Sequence, residues 1–198
     1  MYPKYISVEG KKFEIDTDYR TALRCFEVIY DETIDEYERA YAIIFILLGD
    51  IPEVDLVKTL DLLKKYLSCG REQKQTTGIP DMDLFQDSKY ITASFMSDYK
   101  IDLTNSNEPI HWWRFITLLD GLTGECILNR IRDIRTCDIS DYKGKSRAKM
   151  LKAKSEVALK VKLDDESQKA LDAFDKLLGI GNNELQEDDY LLEEEVSE

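Results

Sequence analysis

Residues 90–122 read YITASFMSDYKIDLTNSNEPIHWWRFITLLDGL, and this stretch decides the fold. It contains the single His of the chain, His111, both tryptophans, Trp112 and Trp113, and a dense apolar run. Trp112, Phe115, Ile116, Leu119 and Leu122 fall at i, i+3, i+4, i+7 and i+10, the spacing of one helix face. Pro109 suits the first turn of that helix, where its missing N–H is not needed, which puts the N-cap at Asn107 or Glu108. Upstream, Ile91, Phe95 and Tyr99 recur every fourth residue and predict a second helix, starting at Asp87 or Ser88. Neighbouring side chains on a helix point about 100° apart. A helix carrying two adjacent indoles can therefore pack against two neighbours at once.

Towards the N-terminus, residues 5–8 and 12–15 alternate around Glu9-Gly10-Lys11 and predict a β-hairpin, with Gly10 supplying the positive φ of the turn. Asp16 or Thr17 can cap a helix whose Tyr19, Ala22, Leu23, Phe26, Ile29 and Tyr30 share a face. Thr33-Ile34-Asp35-Glu36 fits a capping box. The helix it opens ends in AYAIIFILL and is expected to be buried on every side, until Gly49 ends it. Pro52 is expected to start the next helix, with Leu56, Leu60, Leu63 and Leu67 as a core stripe, stopped by Gly70. The same stripe read as a coiled coil would mean self-association. Residues 71–80 are polar, with a Gly and a Pro, and read as an exposed loop.

Beyond Leu122, Thr123 can cap a short helix with Ile127, Leu128, Ile131 and Ile134 on one side and Arg130, Arg132 and Arg135 on the other. Residues 143–162 hold eight Lys or Arg and one Glu around a thin apolar stripe. Their ordinary reading is a solvated helix face; the sharper one is a docking surface for an acidic partner. That surface would comprise Arg130, Arg132, Arg135, Lys143, Lys145, Arg147, Lys149, Lys152 and Lys154. The chain divides into a helical domain with its hairpin (1–162), a helical extension (163–182) and an acidic tail (183–198) whose composition reads as disordered.

Of the net charge of -13, residues 163–198 carry -11, from 13 Asp and Glu against 2 Lys. The nearly balanced remainder, followed by an acidic segment, disfavours nucleic-acid binding, which rests on neutralising phosphates. The first residues, MYPKYISVEGKK, lack an apolar signal region. The longest apolar run, residues 40–48, is about half what a membrane-spanning helix needs. Cys25, Cys69, Cys126 and Cys137 form no Cys-x-x-Cys pair, and one His does not complete a zinc set. The reading is a soluble protein of a reducing cytoplasm with free thiols, no metal and no cofactor.

No catalytic constellation emerges either. A Cys–His nucleophile pair would need Cys126 or Cys137 beside His111 and a third, orienting group. His111 at a helix start better fits a structural hydrogen bond. Asp98 and Asp102 could do acid–base work as a pair, but Asp102-Leu103-Thr104 reads as a helix stop and a turn. Gly121-x-x-Gly124 is too short for a phosphate loop.

Tyr99-Lys100-Ile101-Asp102-Leu103, His111-Trp112-Trp113-Arg114-Phe115, Leu118-Leu119 and Leu122 resemble the phage Gp-fifteen protein family of tailed phages and prophages of Gram-positive bacteria. The pattern continues through Ile131-Arg132, the acidic pair around Asp138 and the Lys-rich helix, and covers residues 15–159. Its signature positions here are Tyr99, Asp102, Leu103, His111, Trp112, Trp113, Phe115 and Leu119. The resemblance implies a tail-assembly role, encoded near the tape-measure protein, and attaches no catalytic residue. The expected molecule is a mainly α-helical bundle with an N-terminal hairpin. Its expected function is non-enzymatic: a tail-assembly chaperone in the host cytoplasm that binds the tape-measure or another tail protein, with no nucleic-acid or membrane partner. The alternative is a structural tail or head–tail connector subunit retained in the virion.

Overall fold

The computed structural model describes residues 2–71 and 80–160. All described elements belong to one compact unit, Met1–Leu159. The expected loop at 71–80, the helical extension at 163–182 and the acidic tail lie almost wholly outside the described residues.

Strands β1 (Tyr5–Val8) and β2 (Lys11–Glu14) pair antiparallel, with Val8 opposite Lys11. Two residues then make the turn, Glu9 at φ 50° and Gly10 at φ 76°, the paired positive angles of a type I′ hairpin. Ile6 and Val8 point inward and are buried. Seven α-helices follow among the described residues: α1 (Tyr19–Tyr30), α2 (Glu36–Leu48), α3 (Leu56–Leu67), α4 (Ser88–Tyr99), α5 (Trp112–Asp120), α6 (Ile127–Thr136) and α7 (Gly144–Val157). A single 3-10 turn, Ile139–Asp141, separates α6 from α7. The mainly helical fold with a small hairpin matches the expectation.

Several helices start later than their composition suggests, and each shift has a local cause. Asp18, not Asp16 or Thr17, caps α1 by accepting from the Arg20 N–H. Asp16 instead accepts from the Asp18 N–H and the Thr21 hydroxyl. Asp35, not Thr33, opens α2: its carboxylate accepts from the Tyr37 and Glu38 amides, and Glu38 reaches back to the Asp35 N–H. One carboxylate thereby satisfies two of the four orphan donors of the first turn. Thr33 is held by Asp31 instead. Asp55 caps α3, and Pro52 lies outside the helix, its carbonyl accepting from Val54. Gly49 ends α2 in the left-handed region, at φ 76°, as expected.

The core is built around α5. Trp112, Phe115, Leu119 and Leu122 are buried, with Ile116 partly buried against them. The Trp112 ring packs on Phe26 of α1 and stacks on Phe115, which stacks in turn on Phe95 of α4 and Tyr19 of α1. Leu63 and Leu67 are buried, and Leu56 and Leu60 pack partly buried on the same core, so the leucine stripe of α3 is consumed within the monomer.

Helix α2 departs from expectation. Ile43, Ile44 and Leu47 are buried, but Tyr37 is 80% exposed, Tyr41 48% and Phe45 56%. The helix packs on α1 and α3 and presents its third side outward. An apolar run records that side chains are apolar, not how many neighbours arrive to cover them.

Candidate functional site

Of the signature positions, His111, Trp112 and Trp113 act as connectors at the α5 N-terminus, while Tyr99 reaches its C-terminal end. His111 is the N-cap of α5: its Nδ1 accepts from the Trp113 N–H at 3.1 Å. Its Nε2 lies 2.8 Å from the Pro3 carbonyl, an acceptor, so Nε2 carries the ring hydrogen. Asn107, Glu108 and Pro109 precede the helix instead of starting it. The α1 start is tied in alongside, with the Tyr19 N–H donating to Ile110 O (2.8 Å) and the Trp112 N–H to Thr17 O (2.7 Å).

The two indoles reach the end of another helix. Trp112 Nε1 donates to Leu67 O and Trp113 Nε1 to Tyr66 O, both at 2.9 Å. Carbonyls in the last turn of a helix have no intrahelical partner; Leu67 O takes its donor from Trp112, and Tyr66 O accepts from the Cys69 N–H as well as from Trp113. Tyr99 donates to Leu118 O (2.9 Å), and Leu103 O accepts from the Tyr19 hydroxyl (2.8 Å). Asp102 accepts from the Thr104 N–H and hydroxyl, and Asp98 from the Thr123 N–H and hydroxyl. Hydrogen bonds from Thr104 hold the Asp102 carboxyl below its usual range. The Thr123 amide does the same for Asp98, which fits turn anchors better than a proton-sharing pair. Because Thr123 is engaged with Asp98, the cap of α6 falls to Cys126, whose Sγ accepts from the Asn129 N–H.

Cys25 and Cys126 are buried, and burial, with Asp16 nearby, pushes the Cys25 thiol up to about 12. A thiol so placed stays protonated and inert. No group of three His, Cys, Asp or Glu that could hold a metal occurs among the described residues. None of the described helices is long and apolar enough to cross a membrane. A small apolar pocket of about 180 Å³, lined by Pro3, Ile6, Leu62, Tyr66 and Trp113 among others, has room for one side chain.

The arginines expected on an outer face are mostly engaged within the fold. Arg135 forms a two-bond ion pair with Asp87, at 2.6 and 2.7 Å; Asp87 is buried and Arg135 is mostly so. Arg132 pairs with Asp81 at 2.8 Å, and Arg130 with Glu125 at the surface at 2.6 Å. Lys154 donates to Cys137 O, and Lys152 sits 3.9 Å from Glu156. Lys143, Lys145, Arg147 and Lys149 are exposed on or beside α7, with no ion-pair partner among the described residues.

A second open surface was absent from the sequence-based site. Tyr37, Tyr41 and Phe45, at i, i+4 and i+8, form an exposed row along α2, prolonged by the half-buried Leu48. Carboxylates cluster at its N-terminal end: residues 27–38 hold Glu27, Asp31, Glu32, Asp35, Glu36 and Glu38 and no Lys or Arg. The fourfold aromatic spacing is visible in the sequence, but reads there as core.

No curated protein and no solved structure matches the chain. A family model does, described as Bacteriophage Gp15 protein, over residues 2–159, which takes in the hairpin and all seven helices described above. The chain belongs to this bacteriophage Gp15 family, which suggests a structural or assembly role in a phage.

Proposed function

We propose that the protein is a non-enzymatic tail-assembly chaperone that binds the tape-measure protein in the host cytoplasm during tail morphogenesis. The observation that carries this reading is the aromatic row of α2, in a chain whose family points to phage assembly. A tape-measure protein is a long helical chain whose apolar faces lie open until tail-tube subunits enclose it. An open row of Tyr37, Tyr41 and Phe45 offers such a face an apolar seat in helix-to-helix contact, reversible because it is narrow. The acidic composition of residues 163–198 would keep the loaded complex soluble. The rest of the site supports a binding role, since its polar groups serve as caps and links between elements.

The test is co-expression with tape-measure fragments. The parent should co-purify with them and keep them soluble. Tyr37→Ser with Phe45→Ser should lose the fragment while melting like the parent, because both side chains are exposed. Retention of the fragment by that variant removes α2 from the reading. The alternative, a tail or head–tail connector subunit, is favoured by the exposed cations Lys143, Lys145, Arg147 and Lys149 on or beside α7, which suit a permanent acidic interface. Mass spectrometry of purified virions decides between them: a stoichiometric presence supports the subunit, absence the chaperone.

A further inference from the structure

We propose that the basic face of α7 in one copy of this chain docks on the acid-flanked aromatic row of α2 in a second copy, giving salt-sensitive head-to-tail self-association. The two surfaces are complementary in charge. Six carboxylates occupy residues 27–38 against the single Arg39 that follows them, whose guanidinium donates to the Val28, Asp31 and Ile34 carbonyls. Residues 143–152 hold five cations, Lys143, Lys145, Arg147, Lys149 and Lys152, of which Lys152 alone has an acid near it, Glu156 at 3.9 Å, among the described residues. They are also complementary in apolar content. Leu151 is 44% exposed within one turn of Lys149 and Lys152, and can meet the exposed rings of Tyr41 and Phe45.

Among the described residues, no element packs over the aromatic row of α2 or the basic face of α7. α7 packs on α6 and the 3-10 turn, whereas α2 packs on α1 and α3. No residue of α7 is buried, and Tyr37 on α2 is 80% exposed. Because the patches differ, the contact is heterologous. Each copy keeps one free donor surface and one free acceptor surface, so the association extends to rings or open chains instead of stopping at a dimer. Opposed charges should steer the encounter and lose strength as salt screens them. The same α2 row would serve the tape-measure client, so client and second copy would compete for it. The inference nevertheless stands without that client, since its test uses the full chain alone.

The experiment is sedimentation equilibrium of the full chain from micromolar to millimolar concentration, at low and high salt. The expected result is a weight-average mass that rises with concentration at low salt and returns to the monomer value at high salt. Glu36→Lys with Tyr41→Lys should abolish the rise by removing the α2 surface. Lys145→Glu with Lys149→Glu should abolish it by removing the α7 surface. An equimolar mixture of the two variants should associate again, because one intact copy of each surface remains. That mixture also controls for folding, since an unfolded variant would not restore the contact. A parent chain that stays monomeric at every concentration and salt overturns the proposal, as it would if the acidic C-terminal segment of the same chain occupied α7 instead. Variants that associate like the parent, or a mixture that stays monomeric, overturn it equally.

Discussion

Arg135 and Asp87, 48 residues apart, form a two-bond ion pair that joins the last turn of α6 to the start of α4, with Asp87 only 1% exposed. Asp87 occupies the N-cap position of α4 but makes no side-chain cap hydrogen bond there. Its Oδ2 accepts from the Asp83 N–H, and its remaining capacity goes to the guanidinium. Arg135 adds bonds to Asp81 O and Val157 O, so one side chain gathers α4, α6, the segment before α4 and the end of α7. Removing one partner of such a pair strands a buried charge and costs about 3–5 kcal/mol. Arg135→Ala and Asp87→Ala should each lower stability by that order in chemical denaturation. The double variant should cost clearly less than the sum of the two. Additive losses would show that the pair does not act as a unit.

The same pair predicts a pH dependence. Burial raises the Asp87 carboxyl, but the Arg135 guanidinium, the Asp83 amide and Arg132 outweigh it and hold it below the ordinary carboxylate value. A depressed folded value means that the stabilisation is present above the unfolded carboxylate range, near 4. It is lost as pH falls through the lower, folded value. Parental stability should therefore drop on acidification below about pH 4, and Asp87→Asn should flatten part of that drop. An unchanged acid limb in the variant would assign the drop to other carboxylates.

The two indoles should separate in their energetics. Trp112 is buried at 2% exposure and Trp113 is half-buried, although both donate to the end of α3. Trp112→Ala should destabilise by about 3–5 kcal/mol, and Trp113→Ala by less. Trp112→Phe keeps much of the packing but leaves the Leu67 carbonyl without its donor, a loss of roughly 1–3 kcal/mol. Equal melting of all three variants and the parent would mean that the indoles do not hold α5 to α3.

His111 should act structurally, as the cap of α5 and a tie to the Pro3 carbonyl. His111→Leu removes the acceptor for the Trp113 N–H and should cost about 0.5–2 kcal/mol. His111→Asn or His111→Gln offers a carbonyl oxygen in its place and should fold and bind partners much like the parent. Complete loss of function in a normally folded His111→Gln protein would place chemistry at this ring.

Truncation after Leu163 should leave a cooperatively folded protein, because every described element and the core they form lie before residue 160. Removing the segment also removes a charge of -11, so the truncated chain should bind acidic partners more tightly at low ionic strength. Thermal melting checks the first statement, and a salt titration of binding checks the second. Failure to fold would move the domain boundary into the C-terminal segment.

The sequence by itself determined the helical class, the hairpin with its Gly10 turn, the inward face of α5 and the leucine stripe of α3. Each follows from short-range periodicity or turn chemistry, which depends on residues only a few positions apart. It also located His111 at a helix start in a structural role, because a ring nitrogen beside an apolar run has orphan amides within reach. Local competition among neighbouring polar side chains chose the caps of α1 and α2, whereas tertiary structure, through the contact of Thr123 with Asp98, 25 residues away, moved the cap of α6. Asp16, Thr33 and Thr123 were drawn into contacts with Thr21, Asp31 and Asp98, and the caps passed to Asp18, Asp35 and Cys126. Tertiary structure alone turned Arg132 and Arg135 inward to acids about 50 residues away. It left Tyr37, Tyr41 and Phe45 uncovered as well. Hydrophobic pattern states which side chains gain by leaving water; the number of elements that arrive to cover them is set by how the whole chain packs.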